Sequence, residues 1–285
     1  MSNKNRFNED REFEDLISVN SDTQISKIKR EISTLLSKDI KIISKNESQK
    51  KLINSIKNNE ITICAGPAGT GKTYVAMAYA LSLLRKTTNR FKKIYLVKSV
   101  TTLKNEEVGF LKGDLKEKIE PVMWSFYLNM EKLVLESSLK SLVEKEIIRP
   151  FPLAYMRGAS LDDCIIIADE MQNVSFDNSR TLLTRIGSNC KLILLGDTNQ
   201  IDIRNKNESS LEVLLNLFDG VKDIGVVKMS EEDTNIRNPL ISVIEDKYKE
   251  HISKNGNGNN VIGKKQLLNE STHFMLKDLE HNERK

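Results

Sequence analysis

Short apolar runs alternate with longer segments of helical periodicity over most of the chain. Five of these runs have the length and composition of strands: "ITICAG", "KIYLVKS", "CIIIAD", "KLILLGD" and "DIGVVKM". The segment after the first run, "TYVAMAYALSLLRK", is apolar almost all round, as expected of a helix that packs on a sheet. Continuous apolar strands that alternate with helices predict an α/β fold, with a mostly parallel sheet and helices on both faces.

Helical patterns also occur elsewhere in the chain. A short helix is predicted in "NESQKKLINSIKNN", and a longer amphipathic helical region runs from Val108 to about Lys145. A helix between the third and fourth strands has Ser175 as its start and Gly187 as its stop. A last helix starts at Asn238-Pro239. Its apolar side chains are expected to face inward: Leu240, Ile241, Val243, Ile244 and Tyr248.

The same patterns divide the chain into three parts. Residues 1–45 are polar and charged with weak helical periodicity, which predicts a tail or an accessory helix. Residues 46–250 contain every predicted strand and form the main domain. Residues 251–285 contain the flexible linker "NGNGNN" and end in a charged helix.

The composition indicates a soluble globular protein. Of the 285 residues, 39% are hydrophobic and 29% are charged. No apolar stretch is long enough to cross a bilayer and the polar start has no signal-peptide core, so we expect no membrane contact and a cytoplasmic location. Three cysteines adjoin apolar runs far apart in the sequence and are predicted to be buried, reduced thiols: Cys64, Cys164 and Cys190.

Basic residues are concentrated in one segment, although the net charge is only +4. The segment from Arg85 to Lys104 contains seven basic residues and no acidic residue. Two interpretations are open. The segment is either a nucleic-acid surface or the ordinary combination of a helix C-terminus and a solvated loop.

The most specific motif is a glycine-rich loop, "GPAGTGKT", which follows the first predicted strand and opens a helix. Such a P-loop places backbone N–H groups and the positive end of the helix dipole around phosphate, so we predict a nucleotide site with Mg²⁺. Lys72 is expected to reach the β- and γ-phosphates, and the Thr73 hydroxyl to bind magnesium. The predicted nucleotide-binding residues of the loop are Gly66, Pro67, Ala68, Gly69, Thr70, Gly71, Lys72 and Thr73.

Two acidic residues end the third predicted strand. Asp169 is predicted to hold magnesium through its water shell, and Glu170 to activate the attacking water as general base. A kinase that transfers phosphate to a small molecule does not need a base for water, so the pair favours hydrolysis. The next strand ends in "GDTNQ", where Gln200 places an uncharged donor near the γ-phosphate and can report hydrolysis.

A glutamine upstream of the first strand has two open interpretations. Gln49 can pair with the N6 and N7 edge of adenine and so select ATP over GTP. Alternatively, Asn46 is the N-cap of the short helix, and Gln49 completes something close to a capping box.

Together these elements resemble the motifs of superfamily 1 helicases and, more closely, those of PhoH-like ATPases. The resembling stretches are "NESQ", "GPAGTGKT", "VGFLKGDLKEKIEP", "PLAYMRG", "IIIADEMQNV", "LLTRIG", "LLGDTNQID" and "EEDTNIRNPL". The resemblance implies a single RecA-like domain, ATP and Mg²⁺ as ligands, assembly into a ring such as a hexamer, and a role with RNA or DNA. It carries functional roles to Gln49, Lys72, Thr73, Asp169, Glu170, Gln172, Gln200, Arg185, Arg237 and Arg157.

Three of these carried-over residues have roles that depend on the resemblance. Gln172 is expected to be a second sensor of the γ-phosphate or of water. Arg237 and Arg185 compete for the role of an arginine that stabilises transition-state charge across a subunit interface. For Arg237, the alternative is a surface arginine near a helix N-terminus.

The sequence also departs from the family pattern. Lys98-Ser99 stands where Arg-Pro is usual after the second strand, and Ala159-Ser160 where Arg-Thr is usual. Because these changes remove arginines, contacts with nucleic acid are less firmly expected than contacts with ATP. Met171 replaces a small residue in "DEMQN".

The leading hypothesis is an ATP-hydrolysing, helicase-like motor or remodeller that acts on RNA or single-stranded DNA. The chain after Gln200 is too short for a second RecA-like domain, so a neighbouring subunit is expected to close the site. The alternative is a nucleotide-dependent oligomeric switch that does not unwind nucleic acid.

Overall fold

The computed structural model describes residues 25–37, 40–99, 115–153, 156, 158, 160–203, 205, 208–230, 240, 243, 244, 246–248, 250 and 251, with no side-chain description for residues 115–122. The chain divides into two compact units, Met1–Ile236 and Arg237–Lys285. All strands described below belong to the first unit. The second unit contributes helical residues between positions 240 and 251.

The described strands form one six-stranded parallel sheet with the order β3-β2-β4-β5-β1-β6. Their bounds are β1 Ile61–Ala65, β2 Lys93–Lys98, β3 Ile148–Pro150, β4 Cys164–Asp169, β5 Cys190–Gly196 and β6 Ile224–Lys228. Five of the six are the predicted apolar runs. The pattern missed β3 because it is an edge strand of only three residues that contains an arginine and a proline.

Helices cover both faces of the sheet. They are α1 (residues 25–35), α2 Glu47–Asn58, α3 Lys72–Arg85, α4 Leu115–Glu131, α5 Glu136–Glu144, α6 Phe176–Leu183 and α7 Leu211–Leu217. Buried residues of α1 to α5 pack with strand residues such as Ile165 and Ile167. Their neighbours Ile166 and Ala168 face the opposite side, with Leu182 of α6 and Leu214 of α7. The predicted fold class, a single α/β RecA-like domain, is confirmed.

The helix after β4 differs from its prediction at one end only. Ser175 is its N-cap, as predicted. The helix ends at Leu183 rather than near Gly187. Gly187 instead donates its backbone N–H to the carbonyl of Leu161 at 2.9 Å, so it belongs to the loop that leads into β5.

The first helix belongs to the core of the first unit. Ile32 is fully buried there, and Lys29 is 2% exposed. The Lys29 ammonium donates to the carbonyl oxygens of Leu84 (2.6 Å) and Phe91 (3.0 Å) and to Asn89 Oδ1 (3.1 Å). These contacts attach α1 to the end of α3, so the described part of the N-terminal segment is an integral part of the fold.

The described apolar side chains of the last helix are exposed. Their exposed fractions are 58% for Leu240, 53% for Val243, 47% for Ile244 and 63% for Tyr248. The prediction that these four side chains face inward is therefore wrong, and Ile241 lies outside the described residues. In sequence, their spacing is the same whether such a face is buried or left open.

The three cysteines are buried and free, as predicted. Cys164 and Cys190 are register partners on adjacent strands, with their sulfur atoms 3.5 Å apart. Among the residues that the structure describes, no helix is long and apolar enough to span a membrane.

Candidate nucleotide-binding site

The site lies where β1, β5 and β4 end at the same edge of the sheet. In open parallel sheets, ligands bind outside this carboxyl edge. The last residues of the three strands are Ala65, Gly196 and Asp169, and β5 lies between the other two. Beyond β1 the backbone N–H of Gly66 donates to the carbonyl of Gly196 at 3.1 Å, which fixes the start of the P-loop against β5.

The P-loop backbone has the conformation that its glycines allow. Gly69 and Gly71 have φ angles of 84° and 83°, in the left-handed region that strains other residues. Gly71 is the N-cap of α3 and offers no side-chain cap. The first N–H groups of α3 therefore point into the loop with the positive end of the helix dipole, a geometry suited to an anion.

Lys72 folds back under the loop. Its ammonium donates to the carbonyl oxygens of Gly66 at 2.6 Å and Pro67 at 2.8 Å, and the residue is 8% exposed. Burial lowers the pKa of Lys72, while nearby acidic groups, Asp169 and Asp197 among them, act in the opposite direction. The amine thus lies beside the loop that would hold phosphate.

Thr73 and Asp169 form the contact between the P-loop helix and β4. The Thr73 hydroxyl donates to Asp169 Oδ2 at 2.8 Å, and the backbone N–H of Glu170 donates to Asp169 Oδ1 at 2.9 Å. Asp169 thus contacts the hydroxyl that is predicted to bind magnesium, an arrangement in which its carboxylate could hold the ion through the water shell. No group of three or more acidic, histidine or cysteine side chains that could hold a metal occurs in the described residues. A magnesium ion there would take water and phosphate oxygens as its other ligands.

The side chain of Gln172 links the ends of β4 and β5. Its Nε2 donates to Glu170 Oε2 at 2.6 Å and to the carbonyl of Gln200 at 3.2 Å. Its Oε1 accepts from the backbone N–H of Asp197 at 3.0 Å. Gln172 is 1% exposed, so the predicted sensor is a buried side chain with three protein partners.

Asp197 is a site residue that the sequence analysis did not single out. Its Oδ2 accepts from the backbone N–H of Ala68 in the P-loop at 3.0 Å, and its Oδ1 accepts from the N–H of Asn199 at 2.9 Å. The carboxylate therefore ties the loop to the turn after β5. The available signal was the position of Asp197 at a strand end, shared with Asp169.

Gln200 lies in the turn that Asp197 begins. Its backbone N–H donates to the carbonyl of Asp197 at 3.1 Å, and the residue is exposed. The turn thus brings Gln200 to the edge of the site.

Gln49 connects α2 to the P-loop. Its Nε2 donates to the carbonyl of Thr70 at 2.9 Å, and its Oε1 accepts from the backbone N–H of Lys45 at 2.9 Å. Asn46 is the N-cap, as the second interpretation has it, because its Oδ1 accepts from the N–H of Gln49 at 2.8 Å. The reciprocal bond of a capping box goes to Lys45 rather than to Asn46. Both ends of the Gln49 amide thus have protein partners, and pairing with adenine would require them to be exchanged.

Arg185 lies at the opposite edge of the sheet from the P-loop. Its carbonyl accepts from the N–H of Leu161, which precedes β4, at 3.0 Å. Strands of this length separate the two edges by roughly 17–20 Å. Arg185 therefore does not join the P-loop residues within one chain. The competing candidate Arg237, and Arg157, lie outside the described residues.

A family model described as PhoH-like protein matches residues 41–249 of the chain. The chain belongs to the PhoH-like family. It is similar to the PhoH-like protein of Bacillus subtilis (strain 168), with 36% identity over 204 residues, which cover 72% of this chain and 63% of that protein. It is also similar to Protein PhoH of Escherichia coli (strain K12), with 31% identity over 195 residues, which cover 67% of this chain and 54% of that protein. The chain thus spans between half and two thirds of the length of these PhoH-like relatives.

Two solved structures have more distant similarity. The large terminase from a thermophilic bacteriophage, in complex with ADP, is 11% identical, has a TM-score of 0.42, and is matched over 71% of this chain and 49% of that chain. Pif1 helicase from Candida albicans is 17% identical, has a TM-score of 0.35, and is matched over 72% of this chain and 44% of that chain. The PhoH-like family and the arrangement of the sheet and P-loop establish a P-loop NTPase fold.

The basic segment is partly used by contacts within the PhoH-like fold. Lys92 forms an ion pair with Asp163 at 2.7 Å. Lys98 donates to the Ser125 hydroxyl at 2.9 Å. Lys104 lies outside the described residues. These contacts give Lys92 and Lys98 partners within the fold and so do not favour a nucleic-acid surface at these two residues.

Proposed function

We propose that this chain binds ATP with Mg²⁺ and hydrolyses it at the carboxyl edge of the sheet. The observation that carries the proposal is the 2.8 Å contact between the Thr73 hydroxyl and Asp169. It joins the P-loop hydroxyl that would bind magnesium to the strand-end carboxylate that would bind the ion's water ligands. The next residue, Glu170, supplies a carboxylate at the same edge.

Each residue has a distinct role in the proposed reaction. The N–H groups at the start of α3 bind the phosphates, and Lys72 exchanges its loop carbonyl partners for the β- and γ-phosphate oxygens. Thr73 and Asp169 hold the magnesium ion, which would neutralise charge that develops on the phosphates. Glu170 accepts a proton from the water whose oxygen bonds to the γ-phosphorus as the bond to the β-phosphate oxygen breaks. The products are ADP and inorganic phosphate.

At the level of the assembled protein, we propose a helicase-like motor or remodeller that acts on RNA or single-stranded DNA as an oligomer. The PhoH-like family membership supports this role. An oligomer would also allow an arginine from a neighbouring subunit to reach the site, which Arg185 of the same chain does not. The intramolecular partners of Lys92 and Lys98 reduce the basic surface available to nucleic acid.

The second candidate is a nucleotide-dependent oligomeric switch without unwinding activity. The bonds of Gln172 and Asp197 favour it, because they connect the P-loop and Glu170 to the turn that contains Gln200. A change at the phosphates would move this turn whether or not a nucleic acid is present.

Phosphate release separates these possibilities. Purified protein is assayed with ATP and Mg²⁺, with EDTA, and with RNA, single-stranded DNA or duplex DNA, while native mass spectrometry measures its oligomeric state. The Lys72→Ala variant is the control, because it lacks the main protein cation for the phosphates. We expect Mg²⁺-dependent release, loss of release in the variant, and stimulation by single strands with a salt-dependent affinity.

The outcomes have different consequences. Equal release by wild type and Lys72→Ala contradicts the proposed site. Hydrolysis that no nucleic acid stimulates favours the switch. Turnover per chain that is independent of concentration in a strict monomer contradicts the role of a neighbouring subunit.

A further inference from the structure

The Gln172 side chain occupies a position that suits support of the catalytic base better than contact with substrate. It belongs to the short 3-10 turn Met171–Asn173 that follows Glu170. It is 1% exposed, and its amide lies between the ends of β4 and β5. A group that contacts phosphate must present a donor at the open side of the site.

The amide of Gln172 has no donor left for a ligand. A primary amide carries two N–H donors and one acceptor oxygen. The donors go to the Glu170 carboxylate and the Gln200 carbonyl, and the oxygen accepts from the Asp197 N–H. The reverse orientation would place an amide N–H₂ against the Asp197 N–H and the amide oxygen against a carboxylate. Only the observed orientation satisfies all three neighbours.

The surrounding backbone is shaped for this amide. A Cβ atom on Gly196 would lie 2.6 Å from Gln172 Oε1 and 3.2 Å from its backbone nitrogen. The last residue of β5 must therefore lack a side chain for the amide to reach Asp197. The glycine at the end of β5 thus makes room for the Gln172 amide.

We propose that Gln172 is a positioning residue that holds the carboxylate of Glu170 in place for water activation and makes no contact with the γ-phosphate. Through Asp197 the same amide connects Glu170 to the P-loop, because the Asp197 carboxylate binds the N–H of Ala68. The orientation of the base and the conformation of the phosphate loop are thus set together. The inference rests on the proposed ATP hydrolysis.

Two substitutions distinguish positioning from phosphate contact. Gln172→Ala removes the donor to Glu170 at every pH. Gln172→Glu keeps the shape but places a second carboxyl group against Glu170. Two adjacent carboxyl groups share one proton, and the protonated form donates as the amide does, whereas two carboxylates repel each other. Asn216→Asp adds the same single charge at an exposed position of α7 and is the matched control.

The experiment measures kcat and KM for ATP from acidic to alkaline pH, and binding of ADP and a non-hydrolysable ATP analogue near neutral pH. For Gln172→Ala, we expect kcat to fall about a hundredfold at all pH values, as for a misplaced catalytic group. Its preference for the ATP analogue over ADP should stay within about threefold of wild type, because under the proposal Gln172 does not touch the γ-phosphate. For Gln172→Glu, we expect activity at acidic pH that falls as the pH rises, a titration absent from wild type and from Asn216→Asp.

Each outcome has a defined meaning. If the preference of Gln172→Ala for the ATP analogue over ADP drops tenfold or more, Gln172 contacts the γ-phosphate and the proposal is overturned. A drop of this order corresponds to the loss of one charge-assisted hydrogen bond. Wild-type kcat in Gln172→Ala, or a wild-type pH profile in Gln172→Glu, also overturns the proposal. A variant that fails to fold is recognised by its thermal unfolding, and the other substitution then decides. If wild type itself releases no phosphate, the proposed function fails and this inference fails with it, whereas active wild type with active Gln172→Ala refutes the inference alone.

Discussion

The Asp197 carboxylate stabilises the P-loop, and its removal should measurably destabilise the first unit. It accepts one hydrogen bond from Ala68 and one from Asn199, at 3.0 and 2.9 Å. A hydrogen bond to a charged group contributes about 1.5–3 kcal/mol. Since Ala68 and Asn199 are exposed residues, water can replace part of what each N–H loses. We therefore expect Asp197→Ala to lower the free energy of unfolding by about 2 kcal/mol for the two hydrogen bonds together, well below the sum of two full bonds.

Thermal and urea unfolding of the nucleotide-free protein measure this loss. About 2 kcal/mol corresponds to a fall in Tm of about 4–8 °C for a domain of this size. Asp197→Asn should lose nearly as much stability, because its amide N–H₂ would face the backbone N–H of either Ala68 or Asn199. Asp219→Asn, at an exposed position, is the control. If both Asp197 variants unfold within about 0.5 kcal/mol of that control, the carboxylate does not hold the loop.

Three further predictions test the packing and electrostatics around the site. Gly196→Ala should cost about 1–3 kcal/mol in urea unfolding, because its Cβ would lie 2.6 Å from Gln172 and from Leu211; an unchanged midpoint contradicts the close approach. Burial lowers the pKa of Lys29 to about 8, so above that pH the unfolded chain binds more protons than the folded chain, and the free energy of unfolding should rise with pH up to the unfolded pKa of about 10.4. Between about pH 7.5 and about pH 9.5 the free energy of unfolding should rise by about 2 kcal/mol in wild type and should not rise in Lys29→Met. An equal pH dependence in the two proteins refutes this prediction. Burial also raises the pKa of Cys64 to about 12, and all three thiols are buried, so iodoacetamide should label them only after unfolding; rapid native labelling contradicts this.

Features carried by contiguous residues could be predicted from the sequence. The P-loop and the Asp169-Glu170 pair each follow an apolar run directly, so their type and spacing already specify the carboxyl edge of a parallel sheet. The fold class follows from the same runs. The strand β3 could not be found this way because its three residues include no apolar run.

Features that depend on contacts between distant segments could not be predicted. The three partners of the Gln172 amide include Asp197 and Gln200, which are 25 and 28 positions away in sequence. The sequence shows a glutamine close to Glu170, the proposed base, but not whether the two N–H donors of that glutamine are already used. Likewise, the polarity of residues 1–45 left open a tail or an accessory helix and did not show that Lys29 would find three acceptors at the end of α3.

The central claim is that Glu170 activates water for ATP hydrolysis at this P-loop. Its most direct test is phosphate release by wild type and Glu170→Gln in the presence of Mg²⁺, together with the affinity of both for ATP. The glutamine keeps an oxygen that can accept from Gln172 but is not a base. We predict unchanged ATP affinity and a fall in release of at least about a hundredfold. Release by Glu170→Gln at the wild-type rate would contradict the account.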